Sequence, residues 1–134
     1  MSLGYCAKAV LEMADEKSLL YMYNSYNINL EGYEAYMEKY DGVIIIDRAS
    51  LVEPEIHMKR VRRPSGKKVY EEKIIEKEVQ LEALLKNGSV KIENSCGAWN
   101  IVDGYDVMAL NLVRKIFKEY QRERKVSENV VIVK

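Results

Sequence analysis

An amphipathic stripe close to the C-terminus constrains the fold of this chain more than any other feature of its sequence. Apolar side chains recur there at helical spacing, at Ala109, Leu112, Val113, Ile116, Phe117 and Tyr120. Asp103 and Asp106 precede the stripe and resemble a capping box with Asp in the place of Glu. The far end of the stripe is basic, as the helix dipole favours. The pattern therefore predicts a long C-terminal helix.

Strand-like patterns occupy much of the remaining chain. Residues 6–13 and 19–28 flank the polar stretch "ADEKS" and predict a hairpin, although the first arm also has good helix propensity. "GVIIID" predicts a buried strand, because its run of β-branched residues leaves no polar face. Further predicted elements are a strand within 67–79 (a helix being the alternative there), a short helix "QLEALLK", strands "SVKIEN" and "AWNIV", and a terminal strand or tail at 130–133.

These elements predict one globular α+β domain over residues 1–134. Its expected architecture is a mostly antiparallel sheet with the long C-terminal helix and shorter helices packed on one face. The length suits a single domain, and the apolar and charged fractions are those of a soluble globular protein.

Tyrosines are concentrated in residues 21–40, which hold six of the ten in the chain. Asn29 is expected to cap a short helix on which Tyr33, Tyr36 and Tyr40 share one face. Such a face usually packs on the core. If the rings are exposed instead, Tyr33, Tyr36 and Tyr40 form a candidate partner surface, because tyrosine is common at interfaces.

Residues 59–68, "KRVRRPSGKK", hold six cations and no acid. The spacing of Leu51, Pro54, Met58 and Val61 predicts a helix that starts near Glu53 and ends before Pro64 and Gly66. Helical spacing would send Arg60 and Arg62 to different faces, which favours a solvated helix end, with the cations in solvent or paired with acids of the first half. The alternative is a phosphate or nucleic-acid site formed by Arg62, Arg63, Lys67 and Lys68.

The formal charge is zero overall, but it is unevenly distributed along the chain. Residues 1–55 carry four Lys/Arg and ten Asp/Glu, whereas residues 56–134 carry seventeen Lys/Arg and eleven Asp/Glu. This split and the clustered tyrosines predict a homo-oligomer, most simply a two-fold dimer. The longest apolar run covers only residues 43–46, so no membrane association is expected. Cys6 and Cys96 lie far apart without metal-ligand spacing, which favours the cytoplasm.

Few residue patterns support catalysis. Cys96 with His57 as its base is the one nucleophile–base pair to consider, and a buried, inert cysteine is the favoured interpretation. No cofactor, metal site or catalytic residue is predicted. The sequence therefore favours a non-catalytic cytosolic interaction protein that self-associates, followed by a nucleic-acid or phosphate-ligand binder using residues 59–68. A small enzyme with a pocket of acids and tyrosines ranks last.

Overall fold

The computed structural model describes residues 3–134, which form one five-stranded sheet, two two-stranded sheets and one long helix. Single-turn 3-10 helices occupy Tyr33–Tyr36 and Arg48–Ser50. In chain order the strands and helices are β1 (Tyr5–Ala14), β2 (Ser18–Asn27), β3 (Gly42–Asp47), β4 (Glu55–Arg62), β5 (Lys68–Ile75), α1 (Leu81–Lys86), β6 (Val90–Glu93), β7 (Ile101–Val102), β8 (Tyr105–Asp106), α2 (Val107–Glu123) and β9 (Asn129–Val133).

The main sheet has the strand order β6-β3-β2-β1-β9, and every neighbouring pair is antiparallel. The predicted hairpin is confirmed as β1 and β2. Its turn is held by the Asp15 carboxylate, which accepts hydrogen bonds from the backbone N–H groups of Lys17 and Ser18. The C-terminal "VVIV" is a strand rather than a tail, because β9 pairs with β1 from Cys6↔Val133 to Val10↔Asn129.

The core lies between this sheet and α2. Alternate side chains of the central strands are fully buried there, as strand geometry requires, among them Tyr21, Tyr23, Ile44 and Ile46. They belong to one apolar cluster with Leu112, Val113, Ile116 and Phe117 of α2. Each such burial contributes about 1.5–3 kcal/mol relative to leaving the side chain in water.

The predicted C-terminal helix is confirmed, but the capping prediction is wrong. Asp106 itself is the N-cap of α2, and its Oδ1 accepts the N–H of Met108 at 3.0 Å. Asp103 lies outside the helix, in the tight turn between β7 and β8, with a φ of 53°. The turn needs a left-handed residue at that point, which Asp tolerates better than most residues.

The α+β class with a mostly antiparallel sheet is confirmed, although the chain contains less helix than predicted. The short helix "QLEALLK" is confirmed as α1 and the strand "SVKIEN" as β6, whereas "AWNIV" contributes only the two residues of β7. The helix expected after Asn29 is reduced to the 3-10 turn Tyr33–Tyr36. Gly32, in a left-handed conformation with no side-chain cap, precedes that turn, and Asn29 bonds instead to Leu3 and Asn27.

The predicted helix from Glu53 to Arg63 is wrong, because β4 and β5 pair with each other as a separate two-stranded sheet. Their register runs from Glu55↔Ile75 to Arg62↔Lys68. Pro64, Ser65 and Gly66 form the loop, in which Gly66 donates to the Arg63 carbonyl and has a φ of 84°. This is the usual three-residue hairpin loop, with proline in a favoured position. The strand preferred within 67–79 is confirmed as β5.

We call this hairpin, residues 55–75, the arm. Nearly all of its side chains are exposed on both sides, unlike those of the main sheet. No helix of the described residues is both long and apolar enough to span a membrane.

Candidate nucleic-acid interface

Strand pairing in the arm brings three cations and one aromatic ring onto the same side. Arg60 lies opposite Tyr70 in the register, and Arg62 lies opposite Lys68. Because residues i and i+2 of a strand point the same way, all four side chains share one face. We call Arg60, Arg62, Lys68 and Tyr70 the cationic face. The sequence argument that separated Arg60 from Arg62 assumed a helix, and the strand reverses it.

The cations of this face are not neutralised within the described part of the chain. Arg60, Arg62 and Lys68 are exposed and make no ion pair with any described residue. Arg63 is different, because its guanidinium pairs with Glu71 on the opposite face of the arm at 2.5 Å. That acid belongs to the second half of the chain, so the predicted pairing with acids of the first half is wrong for Arg63.

The four residues predicted as a phosphate site therefore divide into two groups. Arg62 and Lys68 come together on the cationic face. Arg63 and Lys67 flank the loop, where the Arg63 N–H donates to the Lys67 carbonyl at 2.9 Å. Sequence reasoning missed Arg60 and did not include Tyr70 in the site. The available signal was a pair of eight-residue segments around a Pro-Ser-Gly turn, which indicates a hairpin.

The C-terminal part of α2 holds the base of the arm. The Gln121 side chain is buried, and its amide bonds the Lys77 backbone in both directions, donating to the carbonyl at 2.9 Å and accepting from the N–H at 2.7 Å. Three further contacts join this end of α2 to acids in or beside the base of the arm. They are Tyr120–Glu53, Arg122–Glu76 and Arg124–Glu72. These contacts fix where the arm leaves the main body.

The charge of the molecule is divided between the arm and the rest. Residues 55–75 carry seven Lys/Arg and three Glu, a net formal charge of +4. The other residues therefore carry −4, since the whole chain is neutral. A near-neutral pI hides an arm with a net positive charge on a body with a net negative charge, and the net charge of the arm attracts polyanions.

The tyrosines of the other candidate surface are neither core nor fully exposed. Tyr33, Tyr36 and Tyr40 are all half-buried. Tyr33 stacks on Tyr26 of β2, with ring centroids 6.3 Å apart. Tyr33 and Tyr36 line a cavity of about 330 Å³, together with Cys96 and Trp99. The structure brings Tyr33 and Tyr36 into one site but does not place Tyr40 among the residues that line it.

Cys96 is exposed rather than buried, so the prediction of a buried cysteine is wrong there. The turn after β6 places it beside Asp41, whose Oδ1 accepts the Ser95 hydroxyl at 2.7 Å. The hydrogen bond to Asp41 raises the pKa of the Cys96 thiol, which makes it a poorer nucleophile at neutral pH. His57 lies on the arm with its Nε2 3.6 Å from Glu55. Neither residue has the environment of a Cys–His pair.

An acid and a tyrosine do meet, but in a closed site. Asp106 and Tyr23 are fully buried, and the Tyr23 hydroxyl donates to Asp106 Oδ2 at 3.0 Å while accepting the Ser95 N–H at 2.9 Å. Burial raises the pKa of both side chains, although the hydrogen bonds from the Met108 N–H and the Tyr23 hydroxyl favour the Asp106 carboxylate. A substrate could not reach this pair, and its role is to cap α2 and join it to the sheet.

Among the described residues, no group of three or more His, Cys, Asp or Glu side chains is arranged to hold a metal ion. Comparison of the chain with protein-family models, curated proteins and solved structures finds no match.

Proposed function

We propose that this protein binds nucleic acid through the arm, with Arg60, Arg62 and Lys68 contacting phosphates. The observation that carries the proposal is the strand pairing that gathers these three cations on one exposed face, where the one acid, Glu72, pairs with Arg124 of the main body. Lys and Arg at such a face would release counterions from a phosphate backbone, which is the main source of sequence-independent affinity.

The shape of the arm supports this function. Eight-residue strands give a ribbon roughly 26 Å long. A two-stranded ribbon of this kind fits the major groove of a duplex or lies along a single strand. The anchoring contacts with α2 hold its base, so the cationic face is presented in a defined direction and little ordering entropy is lost on binding.

The test is fluorescence anisotropy with labelled DNA and RNA, single- and double-stranded, at about 50 mM and about 200 mM salt. We expect micromolar binding that weakens steeply with salt. Replacing Arg60, Arg62 and Lys68 together by Ala should reduce the salt slope by about three, so that the salt-dependent loss of affinity over this range shrinks by about 40-fold.

The matched control replaces three exposed lysines of the main body, Lys17, Lys39 and Lys91, by Ala. It removes the same charge from outside the arm, and we expect affinity and salt slope close to those of the wild type. Absence of binding at the lower salt, or equal effects of the two triple variants, would contradict the proposal.

Self-association is a second candidate, favoured by how the charges pair. Apart from His57–Glu55, the ion pairs of the described residues join two members of residues 56–134. Apart from Glu55, the acids of the first half therefore make no ion pair with a described residue, and their charge supports pairing with a partner. The second face of the main sheet also carries half-buried Val10, Met22 and Val43. A two-fold dimer would give twice the chain mass in light scattering at micromolar concentration, and one chain mass at every concentration would exclude it.

We propose the cytoplasm as the location of the protein. Cys6 and Cys96 are both free thiols, which agrees with a reducing compartment. Fractionation of cells that express the chain with a small tag tests this, and recovery with secreted or periplasmic proteins would contradict it.

A further inference from the structure

Tyr70 differs from every other tyrosine in the chain. All ten tyrosines lie within the described residues, and Tyr70 is the only one that is exposed, at 67%. The others are buried or half-buried, many of them through contacts with the core, another ring or a hydrogen-bond partner. An aromatic ring this exposed contributes little to the stability of the fold. Its position on the arm therefore suggests that it contacts a ligand.

The neighbours of Tyr70 on the cationic face suit a nucleotide. Arg60 is directly opposite, about 5 Å away between Cβ atoms, and Lys68 and Arg62 lie about 7 Å away along the strand and across the diagonal. Glu72 also shares this face, but its carboxylate pairs with Arg124 of the main body. A planar, apolar ring is therefore bordered by cations whose charge is free for a ligand.

We propose that Tyr70 is a stacking platform for an unpaired base, so that the ligand of the arm is single-stranded nucleic acid. This inference rests on the proposed function and names the substrate class of that same site. Arg60, Arg62 and Lys68 all lie across from Tyr70 or toward the loop, so a base stacked on the ring would place a neighbouring phosphate within their reach. Aromatic rings among backbone-binding cations are the common arrangement in proteins that bind single strands without sequence preference.

A duplex could not use the ring in the same way. Its bases are already stacked on their neighbours, and access to one of them requires unstacking or flipping at a cost of a few kcal/mol. The three cations can contact duplex phosphates without Tyr70. A higher affinity for single strands than for duplex therefore reports the contribution of the Tyr70 ring, and the salt dependence of the affinity reports the contribution of the cations.

The experiment measures the affinity of three Tyr70 variants for oligo(dT), oligo(U) and a mixed duplex of about 15 nucleotides, a length within single-strand site sizes. Tyr70→Phe keeps the ring and should bind single strands as the wild type does. Tyr70→Leu and Tyr70→Ala remove it, and single-strand affinity should fall by between about 5-fold and about 150-fold. The salt slope should stay unchanged in all three, because stacking releases no counterions, and duplex affinity should not move.

The outcomes separate this inference from the proposed function. Failure of the wild type to bind any of the three probes overturns both. Salt-dependent binding that is unaffected by Tyr70→Leu, or that is tighter for the duplex, overturns the stacking platform and leaves phosphate binding by the arm intact. A change in solution mass in Tyr70→Leu, with nucleic-acid affinity unchanged, would assign Tyr70 to a protein interface and overturn the stacking platform. Equal loss for oligo(dT) and oligo(U) identifies the base ring as the recognised feature, and loss for only one of them still supports stacking, with a preference for the sugar or the 5-methyl group of that probe.

Discussion

Replacing Asp106 by Ala should destabilise the fold strongly, because this buried carboxylate serves two elements at once. Its Oδ1 caps α2 by accepting the Met108 N–H, and its Oδ2 accepts the Tyr23 hydroxyl. Loss of an N-cap costs about 0.5–2 kcal/mol. A buried hydroxyl donor left without a partner costs about 1–3 kcal/mol more. We therefore expect the free energy of unfolding to fall by about 2–4 kcal/mol and Tm by roughly 6–15 °C.

The assay is urea unfolding followed by circular dichroism, in which the midpoint should drop while the slope with denaturant stays constant. Asp106→Asn is the matched control. An amide oxygen caps a helix about as well as a carboxylate, and the neutral group avoids the desolvation that raises the pKa of Asp106. Its amide nitrogen cannot accept the Tyr23 hydroxyl, however, so the Asn variant should lose about 1–3 kcal/mol, less than the Ala variant, because it keeps the cap of α2.

Tyr23→Phe completes a double-mutant cycle with Asp106→Ala. Because the two side chains share one hydrogen bond, the cost of the double variant should be smaller than the sum of the single costs by about 1 kcal/mol or more. An Asp106→Ala variant within about 0.5 kcal/mol of the wild type, or an Asn variant as damaging as Ala, would refute the assigned role of this carboxylate.

Three further predictions concern the same framework. Burial raises the folded-state pKa of Asp106, so its protonated form stabilises the fold at low pH. Relative to Asp106→Asn, the wild type should lose stability as pH rises from about 3.8 through the raised pKa. Urea midpoints measured at several pH values test this. Gln121→Ala removes two hydrogen bonds to the Lys77 backbone, so it should cost about 1–3 kcal/mol and speed amide exchange in the arm, while unchanged exchange there would contradict the anchoring role. Gly42→Ala would drive a methyl group into the buried Tyr23 ring, and thermal unfolding should show a loss of about 1–3 kcal/mol.

Much of the main body follows from local sequence patterns. The stripe of α2 has a period that only a helix can bury on one side, and "GVIIID" has no polar face and forms an inner strand that is buried on one side and half-buried on the other. The β1–β2 hairpin follows from its polar turn, which Asp15 closes by local hydrogen bonds. In each case a pattern within one short segment specifies the element, so the sequence alone predicts it.

The closed Tyr23–Asp106 site could not be read from the sequence. Its two side chains come from β2 and the N-cap of α2, which are 83 residues apart. Only the packing of α2 against the sheet brings them together. The Gln121–Lys77 contact joins residues 44 apart and is not predicted either, because nothing in either segment specifies the other.

The arm shows most clearly what sequence alone determined and what the tertiary structure decided. By itself, the sequence determined that residues 59–68 are cationic and end at a proline–glycine turn. It did not determine the period of the backbone, because the apolar residues of 51–61 fit a helix while residues 55–62 can also pair as a strand. Pairing with β5, held by α2 at its base, decided in favour of the strand. In the strand the side-chain direction repeats every 2 residues instead of the 3.6 of a helix, so Arg60 and Arg62 lie on the same face rather than on different faces. Whether these cations lie at a helix end or on one face of a strand was therefore decided by hydrogen bonds to residues that lie beyond the turn.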